Sequence, residues 1–279
     1  MTTRPVALIT GCSSGFGLES ALHLTRKGYT VVATMRDLAR RAALDDRAKV
    51  AGVTVEVLRL DVTDEASVRD AVAATLAKYR RIDALVNNAG YGVLGTVEET
   101  SLDEWKAQYE ANIFGLIRVT QEVLPVMRAQ KSGRIIHIGS IGGRLSAPYF
   151  SVYQSTKHSL EAINEAMRHE IAGFGLQCTL IEPGGSPTKF VDSMVIARKM
   201  KDPASAYAAL NARMLSLLEK FRAVGFPPSQ VARTIERALR ARHMRRRYLV
   251  GTDAKLLAFL RNFVPDALWD AAERRLYRM

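Results

Sequence analysis

Short runs of β-branched and apolar residues alternate along this chain with longer stretches of helical periodicity, and that alternation restricts the fold more than any other feature. Seven runs have strand character: Val6 to Thr10, Tyr29 to Thr34, Val53 to Leu60, Ala84 to Asn87, Arg134 to Gly139, Leu176 to Ile181 and Arg247 to Val250. Between them lie helical patterns such as Phe16 to Arg26, Glu65 to Lys78, Trp105 to Gln130 and Gln154 to Phe174. Strand, helix and parallel strand in succession make a right-handed crossover, whose repetition winds a sheet with helices on both faces. The spacing predicts an α/β fold, a doubly wound parallel sheet of seven strands in a single domain. With 48% hydrophobic residues in 279, the core is large enough, and two cysteines are too few for a disulfide scaffold. Cys12 and Cys178 lack ligand spacing, so no metal is expected.

The first turn carries chemistry. Thr10-Gly11-Cys12-Ser13-Ser14-Gly15-Phe16-Gly17 joins the first strand to the first helix. Glycines there permit positive φ and let a pyrophosphate approach backbone N–H groups at a helix N-terminus, as in Rossmann-type dinucleotide sites. After the second strand an NAD site places an acidic residue for the ribose 2′-hydroxyl, but here Met35 is followed by Arg36. A guanidinium suits a 2′-phosphate, with Ser13 and Ser14 as added donors, so NADP(H) is expected over NAD(H), which stays as the alternative. Arg36 paired with Asp37 at a helix start is the bland reading.

A second constellation lies further on. Tyr153 and Lys157, four apart on a helical pattern, project from one face. A phenol ordinarily titrates near 10, and a neighbouring ammonium favours its ionised form. Ser140 ends the fifth strand, at the sheet edge where such folds hold ligands. Asn112 is an amide amid apolar neighbours in Glu110-Ala-Asn-Ile-Phe-Gly115. Asp61 and Val62 follow the third strand, and Asn88, Ala89 and Gly90 the fourth.

These residues in this order resemble the short-chain dehydrogenase/reductase family over residues 5 to about 251. The match covers Thr10, Gly11, Gly15 and Gly17, Asp61, Asn87 to Gly90, the tetrad Asn112, Ser140, Tyr153 and Lys157, and Pro183-Gly184 with Thr188. Cys-Ser-Ser between the glycines and Ala33-Thr-Met-Arg36 look similar to the NADP-preferring 17β-hydroxysteroid and retinol dehydrogenase-like branch. The resemblance implies that Tyr153 is general acid and base, that Lys157 lowers its pKa and holds the nicotinamide ribose, and that Ser140 binds the substrate oxygen. It implies a water held by Asn112, and an adenine contact at Asp61. One departure is Ser14, where many NADP-using members carry a basic residue.

The expected activity is reversible NADP(H)-dependent interconversion of a lipophilic alcohol with its ketone or aldehyde, of steroid, retinoid or long-chain type. Leu145 and Tyr149, with Val93, Leu94, Phe150, Phe190, Met194 and Met200, form the expected apolar wall. A non-catalytic NADP-sensing or scaffold protein on the same fold is the second class. The expected division is a catalytic domain over 1–251, with 183–226 as a substrate-binding excursion, and an amphipathic basic tail over 252–279.

Charge is uneven. Residues 189–279 carry 19 Lys and Arg against 8 Asp and Glu, while 1–188 carry 21 against 20. The cluster Arg237 to Arg247 lacks a nucleic-acid module, and a helix C-terminus favours such cations, so nucleic acid is not the expected partner. Peripheral membrane contact through the tail, or packing on the cleft or a second subunit, are the open readings, and the resembling family forms homodimers or homotetramers. Only Val6 to Ile9 is apolar near the N-terminus, so neither a signal peptide nor a membrane span is expected, and a cytoplasmic setting follows.

Overall fold

The central strands of the sheet are buried on both faces, so their residues alternate between two cores, while the edge strand β3 is only half-buried. The computed structural model describes residues 4–186, 190–221 and 225–277. In chain order these form β1 (Val6–Ile9), α1 (Gly15–Arg26), β2 (Thr30–Met35), α2 (Ala42–Val50), β3 (Glu56–Arg59), α3 (Glu65–Tyr79), β4 (Ala84–Asn87), β5 (Val93–Leu94), α4 (Leu102–Tyr109) and α5 (Gly115–Gln130). There follow β6 (Gly133–Ile138), α6 (Ser151–Glu170), β7 (Leu176–Pro183), β8 (Val195–Ile196), α7 (Ala208–Phe221), α8 (Ser229–Arg240), β9 (Arg247–Val250), α9 (Thr252–Phe263) and α10 (Asp266–Tyr277). On β1, Ala7 and Ile9 join a core with Leu22 of α1 and Val231 and Ile235 of α8, while Val6 and Leu8 join one with Val68 of α3 and Val119 of α5.

The seven-stranded sheet runs β3-β2-β1-β4-β6-β7-β9, with every pair parallel. Winding reverses between β1 and β4. Loops leaving their carboxyl ends part there and open a crevice.

The expected single helix from Trp105 to Gln130 is broken. Between α4 and α5 the chain makes a π turn, Glu110–Phe114, that holds Asn112. Such turns recur at functional sites. The excursion after β7 is anchored by β8, which pairs with β5 through Val93 with Val195 and Leu94 with Ile196. Leu94, Tyr149, Ala197, Met200, Met214 and Leu218 form a buried cluster there.

The basic cluster runs from the end of α8 into β9, the helix end and last strand beside which the sequence puts it. Arg247 pairs with Leu180, and the preceding residues run beside the amino-terminal half of β7: Met244 N–H donates to Gln177 Oε1 at 2.7 Å and Thr179 Oγ1 donates to Arg245 O at 2.7 Å. That is the sheet edge opposite the crevice. The run from Arg237 to Arg246 thus stands away from the cleft, while Arg247 reaches the buried Glu182 of β7.

The last two helices return to the crevice side. Asp253 in the first turn of α9 accepts from Gly185 N–H at 2.6 Å, and Gly184 leaves no room for a Cβ against that carboxylate. Tyr277 of α10 packs on the excursion cluster, while Leu256, Phe259 and Phe263 remain exposed. Among the described residues no helix is long and apolar enough to cross a membrane. Asp253→Ala removes the acceptor that holds the loop after β7 and an acidic group from a helix N-terminus. It should cost about 1–3 kcal/mol in urea unfolding, whereas Asp270→Ala on exposed α10 should leave the midpoint within experimental error.

Candidate active site

The crevice is built from loops locked to one another by short polar contacts. Gly11 and Gly15 hold φ of +72° and +57°, values that favour glycine. A Cβ on Gly11 would stand 2.8 Å from Ala89 Cα, so the Gly-rich turn lies directly on the loop after β4. Asn88 joins the two: its Nδ2 donates to Thr10 O at 2.8 Å and Gly11 O at 3.0 Å. Thr10 Oγ1 accepts from the N–H groups of Asn88 and Ala89. Asn88 is thus a positioning residue, its amide hydrogens already used.

The start of α1 fits a pyrophosphate. Ser14 at its N-cap makes no side-chain cap, and no acidic residue occupies the first turn, so its N–H groups and the positive end of the helix dipole are available to an anion. Ser13 and Ser14 are half-buried beside them, and Phe16 stacks on Phe226 with centroids 6.5 Å apart. At the end of β2, Arg36 is exposed and makes no ion pair among the described residues. Asp37 caps the next turn instead, accepting from Ala39 N–H at 2.9 Å, so the Arg36–Asp37 pairing does not form. Asp61 Oδ1 accepts from Thr63 N–H at 3.0 Å and Thr63 Oγ1 at 2.8 Å, while Oδ2 remains open. Val62 is wedged against Gly115, and Gly90 stands against the Asn112 amide. Pro183 ends β7 and Gly184 follows it. Thr188 lies outside the described residues.

Tyr153 and Lys157 come from the first two turns of α6, and Ser140 from the turn after β6. Lys157 Nζ lies 5.6 Å from the centroid of the Tyr153 ring and donates to Ile138 O at 2.9 Å. Ser140 Oγ accepts from Gly142 N–H at 3.0 Å and stands beside the phenol. Burial pushes the Tyr153 phenol up to about 12, and the Ser140 hydroxyl is the group that pulls it back. Burial also brings the Lys157 ammonium down to about 8. The Ser140 hydroxyl is therefore a neighbour that lowers the phenol in this chain. His137, fully buried on β6, is held down to about 3 by burial and then by the Lys157 charge, so it stays neutral.

Asn112 is tied to the chain. Its Oδ1 accepts from Tyr91 N–H at 3.1 Å, and its Nδ2 donates to Tyr91 O at 2.9 Å and Thr156 Oγ1 at 3.3 Å. The π turn puts this amide between the loop after β4 and α6, which makes its side chain a brace. Of the expected apolar wall, Phe190 lies 5.3 Å from the Tyr153 ring, and Phe190 and Met194 close on Gly92. Tyr149, Leu94 and Met200 are buried in the excursion cluster, Phe150 packs on it, and Leu145 is half-buried.

An ion cluster behind Ser140 was not anticipated from the sequence. Glu182, fully buried near the end of β7, meets Arg144 Nε at 2.8 Å and Arg247 Nε at 3.2 Å. Burial and Glu161 push its carboxyl upward against the two guanidiniums. Glu161 follows Tyr153 and Lys157 at the same four-residue interval, the one sequence signal that could have found it. Among the described residues no group of His, Cys, Asp or Glu is arranged to hold a metal ion.

Comparison with known proteins fits this arrangement. Residues 5–199 match the short chain dehydrogenase family. The chain belongs to that family, whose members are oxidoreductases built on this fold. It is similar to the uncharacterized oxidoreductase YusZ of Bacillus subtilis (36% identity, 96% of each chain) and to 3-ketodihydrosphingosine reductase of Bacteroides thetaiotaomicron (32%, covering 98% and 97%). Human 17-beta-hydroxysteroid dehydrogenase type 1 is 33% identical over 94% of this chain and 82% of its own. Among solved structures, a short-chain dehydrogenase from Streptomyces avermitilis superposes with a TM-score of 0.82 at 32% identity (98% and 97% covered). One from Burkholderia phymatum in complex with NAD gives 0.80 at 27% (92% of each). A variant of actinorhodin polyketide ketoreductase with NADPH gives 0.75 at 28% (90% and 97%). A nicotinamide cofactor is supported by these neighbours.

Lys157 gives a test of the site's electrostatics. A lysine lowered from 10.5 to about 8 is favoured neutral in the fold, so it destabilises fully below pH 8 and not at all above 10.5. Lys157→Met should therefore melt higher than the parent protein at pH 7, and the gap should close between pH 8 and 10.5. A gap independent of pH would show that Lys157 is not desolvated as described.

Proposed function

We propose that the protein is an NADP(H)-dependent oxidoreductase that interconverts a lipophilic alcohol and its ketone or aldehyde. The observation that carries this reading is the convergence of Ser140, Tyr153 and Lys157 at the sheet edge onto which the uncapped N-terminus of α1 also opens, with the Phe190 ring tilted against that of Tyr153. The cofactor, when bound, supplies or accepts the hydride. The backbone from Gly11 to Gly17 would hold its pyrophosphate, Asp61 and Val62 would flank the adenine, and Ala89, Gly90, Pro183 and Gly184 would border the nicotinamide side. Lys157 would donate to the ribose hydroxyls. Arg36, exposed and unpaired among the described residues, takes the 2′-phosphate, and this is the ground for NADP(H) over NAD(H).

Tyr153 supplies the proton. A phenol held near 12 remains protonated at neutral pH, which suits it to donate to a carbonyl oxygen during reduction. The Ser140 hydroxyl donates to the same oxygen and stabilises charge developing on it. The apolar surroundings of Phe190, Met194 and Tyr149 favour a lipophilic body on the substrate. Similarity to reductases and dehydrogenases named for a sphingoid ketone and a hydroxysteroid supports the same class. The exposed Leu256, Phe259 and Phe263 offer a face for peripheral contact with membrane lipid in a cytoplasmic protein.

Screening a panel of steroid, retinoid and long-chain carbonyls by NADPH absorbance tests this directly. Tyr153→Phe should lower kcat on any accepted substrate by about 10²- to 10⁴-fold with the fold intact. Full turnover by that variant would remove the assigned mechanism. Arg36→Ala should raise KM for NADP(H) and leave that for NAD(H) unchanged. Equal losses for both would remove the 2′-phosphate assignment.

A further inference from the structure

The loop that carries Ser140 is fastened at both ends to the same stretch of β7. At its start Gly139 N–H donates to Ile181 O at 2.8 Å, which continues the pairing of β6 with β7. At its end Arg144 Nε stands 2.8 Å from Oε2 of the next β7 residue, Glu182. Between these points the chain closes one tight turn: Gly143 N–H donates to Ser140 O and Arg144 N–H to Ile141 O, both at 2.9 Å. Within the turn Ser140 Oγ accepts from Gly142 N–H, so the hydroxyl's own hydrogen is left to donate. A Cβ on Gly143 would stand 2.9 Å from Lys157 O, so the turn lies directly on the backbone of α6.

Glu182 reaches α6 as well. Its Oε1 lies 3.2 Å from Arg247 Nε, which also donates to Glu161 Oε2 at 2.6 Å, and Glu161 stands one turn after Lys157. A single fully buried carboxylate thus joins the turn of Ser140 to the helix of Tyr153 and Lys157, with one arginine on each side. Stability alone does not account for such a cluster, because the cost of desolvating buried charges offsets much of their attraction, and apolar side chains of similar volume often hold a fold as well. What charges at short fixed distances add is direction: a displaced turn would leave the buried carboxylate short of a partner.

We propose that Arg144 and Glu182 are positioning residues that hold the Ser140 hydroxyl in register with the Tyr153 phenol, so that both reach one substrate oxygen. Neither residue has to touch substrate or cofactor. The assignment deepens the carbonyl-reduction reading above and rests on it, since that reading is what gives Ser140 and Tyr153 a shared oxygen. The Gly-rich turn and α1, which take the pyrophosphate in the same reading, are not joined to this ion pair. Loosening the pair therefore acts on turnover and not on cofactor affinity.

Arg144→Met keeps most of the side chain's length and removes its charge. It should lower kcat roughly 10- to 100-fold on any accepted carbonyl compound and leave KM for the cofactor unchanged, the size of loss expected when a reacting group is slightly misplaced. Arg144→Lys, which keeps the charge, should recover most of that turnover. The comparison that separates positioning from general support of the fold is made in a Ser140→Ala background: there Arg144→Met should add little further loss, because the group it positions is already gone. An unchanged kcat in Arg144→Met, equal turnover by the Lys and Met variants, or a second full loss on top of Ser140→Ala would each overturn the assignment. Hydrogen exchange followed by mass spectrometry needs no substrate. Peptides spanning residues 141–144 should exchange faster in Arg144→Met and in Glu182→Gln than in the parent, while those of β1 and α1 keep the parent rate. Unchanged protection of the turn in both variants would show that the pair does not hold it, and the proposal would fail. If the parent reduces no compound of the panel, the exchange rates still decide whether the pair holds the turn, and the missing activity counts against the reduction reading alone.

Discussion

The reversal of winding between β1 and β4 is the constraint on which the site depends. Because every strand of the main sheet is parallel, all carboxyl ends face one way, and the loops after β1, β4, β6 and β7 emerge along one edge. At the reversal two neighbouring loops turn to opposite faces of the sheet. Their separation would leave backbone groups unsatisfied, and Thr10 and Asn88 resolve this by bonding across it. The glycines of the first turn follow from the same packing. Gly11 lies on Ala89 and Gly17 on Gly11, so a larger residue at either would part the loops that the asparagine joins.

The parallel arrangement also sorts charge. Helices that return antiparallel to the strands start at the crevice edge and finish at the opposite one, so their positive ends face the site and their negative ends face away. Cations near helix C-termini are stabilising, and Arg26, Lys78, Arg128, Arg168 and Arg240 all stand in last turns. The basic run before β9 lies at that edge. A sequence count assigns this charge to the C-terminal third, but the fold assigns it to one face, shared with residues from the near-neutral part.

The parts of the fold most legible in the sequence were those governed by local pattern. Strand positions followed β-branched runs because a parallel strand buried on both faces must be apolar throughout, and β4 and β9 fall where the pattern puts them. The Gly-rich turn and the Tyr153–Lys157 spacing were legible because helix geometry fixes them. What was hidden depends on contacts between distant residues. Asn112 reads as an interior amide, and nothing near it shows that a π turn carries it to the backbone of Tyr91, 21 residues away. Asp253 lies 68 residues from the glycine it holds. Glu182 with Arg144 and Arg247 is a tertiary charge cluster, and only the interval from Lys157 to Glu161 hints at it.

Those hidden contacts share a pattern. Asn88, Asn112, Glu182 and Asp253 each use a buried or half-buried polar side chain to hold a loop at the crevice edge, and none needs to touch the reacting atoms. A polar group buried in this way is costly unless every partner is in place, so each contact defines one loop geometry sharply. Phe190 and Met194 provide the opposite kind of wall, apolar and shaped by side-chain contact. A surface of that kind accepts many lipophilic bodies and distinguishes few of them. Discrimination then has to come from polar atoms inside the apolar region. Among the described residues, the Tyr149 hydroxyl and Asn211 Oδ1 are two such buried atoms without a partner.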